Sequence, residues 1–109
     1  MAAYVLLGAA IVLEVIGTTA LKLSEGFTRL WPSAVVVVGY LLAFAALGRV
    51  LKLGVPVGVA YAIWAAFGIA LIATVGVVFF QEKLTLPMVV GLGMVIGGVV
   101  LLELGRAPQ

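Results

Sequence analysis

The sequence predicts an all-α membrane protein with four transmembrane helices per chain, and three observations carry that prediction. The chain has 109 residues, of which 66% are hydrophobic and 9% charged, with a mean hydropathy of +1.42. A soluble domain of this composition lacks the polar residues to cover its own surface. The apolar residues fall into four segments (about 4–21, 32–48, 57–80 and 87–104), each near the roughly 20 residues that carry a helix across a hydrocarbon core of about 30 Å. Every Lys and Arg lies at a segment boundary, where a bilayer places them. The length leaves room for one domain, residues 1–109, and little beyond the four spans.

The first segment, YVLLGAAIVLEVIGTTAL, stops at Lys22. It does not read as a cleaved signal peptide, because no basic region precedes it and Glu14 interrupts its apolar run. Trp31 and Pro32 mark entry into the second segment, as an interfacial ring followed by a proline suited to a first helical turn. Arg49 and Lys52 close that segment, and Gly54 and Pro56 break the chain before the third. The hairpin QEKLTLP separates the third from the fourth, and GRAPQ forms a short polar tail.

Composition also excludes functions. With no Cys and no His, the chain has no disulfide, thiol chemistry, histidine relay or usual zinc site. The pI of 9.3 does not imply nucleic acid, because the basic residues flank spans and form no patch. An enzyme is disfavoured, since no second acid, nucleophile or metal cluster accompanies Glu14 within the spans.

Glu14 is the informative residue. A carboxylate at mid-bilayer costs about 2.5–3.5 kcal/mol on insertion scales and marks a functional site by default. The bland alternative is a buried acid that holds the bundle together, but such glue is usually Ser, Thr, Asn or Gln. No Lys or Arg lies within a span to neutralise it, so the countercharge has to arrive as a proton or a cationic substrate. Helical spacing puts Leu7, Ala10, Ile11, Gly17 and Thr18 on its face.

The third segment stacks Tyr61, Trp64 and Gly68 along one face, and the second stacks Tyr40 and Phe44. Aromatic faces attract cations. Phe44 and Phe67 read more simply as packing, whereas Tyr61 and Trp64 lie away from the interface where such rings collect. The fourth segment carries Gly91 and Gly98 on one face and a GxxxG pair, Gly93 and Gly97, on another, so it reads as an assembly element.

With four crossings, Lys22, Arg29 and Lys83 fall on one side and Arg49, Lys52 and Arg106 on the other. Equal counts give no preferred orientation. They fit either small-number chance or dual topology, in which a chain pairs with an inverted copy of itself, as inverted repeats pair in larger transporters.

The block LEVIGTTALKLSEGFTRLWPS, the later AYAIW and the four-segment layout resemble the small multidrug resistance transporters, specifically their EmrE-like (Qac) branch. The resemblance covers nearly the whole chain. It implies a multi-pass protein of the inner (plasma) membrane, working as an antiparallel homodimer that exchanges protons for hydrophobic cations and needs no cofactor. It assigns Glu14 as the shared proton and substrate site, with Tyr40, Tyr61 and Trp64 lining the pocket. Leu7, Ala10, Ile11, Gly17 and Thr18 form the surrounding face, Gly91 and Gly98 the dimer contact, and Gly68 a hinge. Three departures stand out. The connection before Pro56 is one residue longer than the family pattern, Ala66 replaces a glycine, and Ala43 replaces a small polar residue. Two other readings compete: export of guanidinium or another small cation, as in the sister branch, and a non-transporting membrane scaffold.

Overall fold

The structure is a computed structural model that describes residues 2–105; Arg106 and the Glu103 side chain lie outside the described residues. It consists of α1 (Ala2–Leu23), α2 (Leu30–Lys52), α3 (Val57–Phe79) and α4 (Leu86–Leu104), with no strand among the described residues. The first three are long and apolar enough to cross a membrane, while α4 carries the shorter apolar stretch Leu86–Leu102. The described residues fold as four helices, as expected from sequence.

Each helix ends where its backbone finds other partners. In α1, the Thr19 hydroxyl donates to the Val15 carbonyl at 2.9 Å, which satisfies it in an apolar medium. The buried Ser24 then donates to the Leu21 carbonyl at 2.7 Å and accepts from the Phe27 N–H at 3.1 Å. Left-handed backbone at Glu25, Gly26 and Phe27 turns the chain toward α2. At the far end of α2, Gly54 takes φ +108°, a conformation suited to glycine after a helix. Pro56 then opens α3.

α1 and α2 run past their apolar segments, whereas α3 and α4 match theirs to within a residue. α2 starts before Trp31 and continues through Arg49 to Lys52, because long basic side chains reach water while their backbone stays helical. α3 is helical without interruption from Val57 to Phe79, through both Ala66 and Gly68.

α1 is the central element, packed on α2 and α3, while α2 and α3 touch little and α4 touches only α3 among the described residues. The α1–α2 crossing is tight at Gly17 and Gly39. A Cβ on Gly39 would lie 3.2 Å from the Leu13 carbonyl oxygen and 3.4 Å from the Gly17 Cα. Leu7, Ile11 and Val15 form the core with Val50, Val55, Val59 and Ala60. The result is a slab of 47 × 36 × 19 Å.

Candidate functional site

Glu14 stands midway along α1 and is partly exposed. One turn later Thr18 donates its hydroxyl to the Glu14 Oε1 at 3.3 Å, and the same hydroxyl lies 2.7 Å from the Tyr40 phenol. A threonine hydroxyl carries one proton. If it is given to Glu14, Tyr40 must be the donor in the second contact. The order is therefore Tyr40 to Thr18 to Glu14, and α2 reaches the carboxylate through α1. Gly17 makes this possible, since a Cβ there would sit 2.7 Å from two Tyr40 ring carbons. The departure at Ala43, which is fully buried, leaves the link to α2 intact by this route.

The scarcity of contact between α2 and α3 leaves a cavity of about 400 Å³ beside Glu14. Its walls are Phe44, Leu47 and Leu51 from α2, and Val57, Ala60, Tyr61, Trp64, Ala65 and Ile69 from α3. A second cavity of about 170 Å³ is bounded by Glu14, Thr18, Trp64, Gly68 and Ile72. Glu14 and Trp64 border both. The Trp64 ring stacks on Phe44 at 5.9 Å and 12°, and Phe44 meets Tyr40 edge-on at 6.4 Å. The site is thus one carboxylate facing an aromatic wall, with no basic residue lining either cavity.

The remaining residues singled out from sequence occupy different places. Leu7, Ala10 and Ile11 are buried in the packing of α1 and do not line these two cavities. Tyr61 sits in the second turn of α3 at the rim and is 76% exposed. Gly68 is buried, with the Trp64 ring 3.6 Å from where its Cβ would be. At Gly91, Gly93, Gly97 and Gly98 a Cβ would meet nothing within 4 Å. Sequence reasoning set Phe44 aside as packing, although its spacing from Tyr40 was a usable signal. It overlooked Gly39, whose place opposite Gly17 depends on the register between two helices. No group of residues suited to holding a metal occurs among the described residues.

This constellation, a lone mid-span carboxylate with an aromatic cavity in a short helical membrane chain, has known counterparts. The family model for the Small Multidrug Resistance protein matches residues 2–95. The chain belongs to the small multidrug resistance family. It is 46% identical over 101 residues to the multidrug transporter EmrE of Escherichia coli (strain K12), covering 93% of this chain and 91% of that protein. Similarity is equally broad to the quaternary ammonium compound-resistance protein QacE of Escherichia coli, at 49% identity over 95% of this chain and 94% of QacE. The multidrug resistance protein Mmr of Mycobacterium tuberculosis (strain H37Rv) is 45% identical over 95% of this chain and 97% of its own. As a member of the small multidrug resistance family the chain is a membrane transporter rather than an enzyme, and a multi-pass protein of the inner membrane.

Proposed function

We propose that this chain exports lipophilic and aromatic cations, quaternary ammonium compounds among them, in exchange for protons, with Glu14 as the shared site. The observation that carries the reading is the Glu14 carboxylate at the edge of a 400 Å³ cavity walled by Phe44, Tyr61 and Trp64. The aromatic faces contribute roughly 0.5–2 kcal/mol each toward a desolvated cation, and the carboxylate contributes the countercharge. Protons and cations then compete for one group, so loading one expels the other. Relatives whose names record multidrug transport and quaternary ammonium resistance support the substrate class.

The slab needs a partner, and we infer an antiparallel homodimer in which four helices of each chain span the bilayer as one domain. The open glycine face of α4 supports pairing through Gly91 and Gly98, and the even split of basic residues supports opposite orientations. Two such chains bring two Glu14 carboxylates into one low-dielectric cavity, where uncompensated charges repel and protons or a cation supply the balance. Gly68 serves as the flexible point of α3.

Proteoliposome uptake driven by a pH gradient tests the reading, using a panel of quaternary ammonium and aromatic cations. Glu14→Gln keeps the shape of the side chain but cannot ionise, and it is expected to abolish coupled uptake while the protein stays assembled. Coupled uptake retained by Glu14→Gln would overturn the shared-carboxylate mechanism. Preferential uptake of guanidinium would instead favour the small-cation reading.

A further inference from the structure

On the side of α1 away from the Glu14 cavity, a groove of about 360 Å³ runs along the ends of three helices. Val15, Thr19 and Leu23 form its floor from α1, Trp31 comes from the start of α2, and Val75 and Phe79 come from α3. From Val15 to Leu23 it extends about 12 Å along the helix axis. The one hydroxyl in that set, on Thr19, is turned back to the Val15 carbonyl, so the groove is apolar along its length. Its mouth is different. Leu23 ends α1 and lines the groove, and its carbonyl accepts from Arg29 Nη1 at 3.4 Å, which brings the guanidinium within a hydrogen bond of a lining residue. Trp31 is 61% exposed there, in the position of an interfacial ring. The other charges of the same face are Lys22, paired with Glu82 at 3.1 Å, and the exposed Glu25 and Lys83.

An apolar trough within the hydrocarbon, ending at a guanidinium at headgroup depth, matches the chemistry of one class of ligand. We propose that this groove binds an anionic phospholipid, with one acyl chain along Val15, Thr19 and Leu23 and the phosphate on Arg29. The fixed fork of Arg donors suits phosphate, and one donor is already engaged by the Leu23 carbonyl, which orients the rest. The site is separate from the Glu14 cavity and shares no lining residue with it.

Trp31 is a built-in reporter, since the chain has only two tryptophans. A Trp64→Phe variant in phosphatidylcholine membranes isolates its fluorescence, and brominated phosphatidylglycerol or brominated phosphatidylcholine is titrated in as quencher. A basic residue near the surface contributes about 1 kcal/mol toward anionic lipid, so quenching of Trp31 is expected to favour phosphatidylglycerol about fivefold. Arg29→Gln should erase that preference and Arg29→Lys should keep part of it. Lys83→Gln, which removes the same charge from the same face, should leave it unchanged. Equal losses for Arg29→Gln and Lys83→Gln would reduce the effect to a diffuse surface field and overturn the site. So would a Trp31 shielded from both brominated lipids, which would mean that a second copy covers the groove. Mass spectrometry of the otherwise unaltered protein gives an independent reading. Phosphatidylglycerol should stay bound through detergent exchange and be lost in Arg29→Gln; retention by that variant would contradict the proposal.

Discussion

Gly17 shows how much of this site depends on a residue with no side chain of its own. The Tyr40 ring occupies the space that a side chain on Gly17 would fill, and from there its hydroxyl reaches Thr18 and, through it, Glu14. Gly17→Ala should displace that ring and cost roughly 1–3 kcal/mol as an overpacked core position. It should lower thermal stability and weaken cation binding together. Gly8→Ala is the control on the same helix: a Cβ there meets nothing within 4 Å, so binding should be unchanged and stability should hold or rise, by up to about 1 kcal/mol from the helix preference of Ala over Gly. Thermal unfolding of both variants in detergent, with and without a bound aromatic cation, checks the pair. Glu14 was legible in the sequence because an ionisable group in an apolar run has few explanations. The Tyr40–Thr18–Glu14 order was not, because it is fixed by the register of α1 against α2, and helical spacing reports only neighbours within one helix. The same limit hid the stacking of Phe44 on Trp64 across the gap between α2 and α3.

At the scale of elements, hydropathy located the four helices and the ends of α3 and α4 to within a residue, but not the ends of α1 and α2, because it measures the thickness of lipid rather than the length of helix. α2 illustrates this, running from Leu30 to Lys52 where the apolar segment covers only 32–48. α4 is the element that the proposed dimer explains. Among the described residues it touches α3 alone, four of its glycines face open space, and Met94 and Leu101 are each 71% exposed. Small residues that allow close helix approach have no helix approaching them here. Gly91→Leu and Gly98→Leu should therefore leave the fold of the chain intact while shifting it from dimer to monomer. Chemical cross-linking and sedimentation in detergent, alongside unchanged helical content by circular dichroism, measure that separation. Loss of helical content without loss of the dimer would assign these glycines to packing within the chain.

For the whole molecule, the slab is 19 Å thick with its carboxylate on a partly open cavity; the proposed inverted partner would close that cavity, and the charge count suggests how such a pair would form. Lys22, Arg29 and Lys83 balance Arg49, Lys52 and Arg106, so two lysines added to the tail should bias insertion one way and two added to the first loop the other. Each biased form alone should transport poorly, and the two co-expressed should recover activity. Full activity of either form alone would point to a parallel assembly or a monomer. In the proposed mechanism, one carboxylate per chain serves protons and cations in turn. The most direct measurement is proton release from the purified protein, in weak buffer, when tetraphenylphosphonium is added. The account predicts protons released on binding, apparent affinity that falls as the pH is lowered, and neither effect in Glu14→Gln. Binding that releases no proton and keeps the same affinity across pH would contradict it.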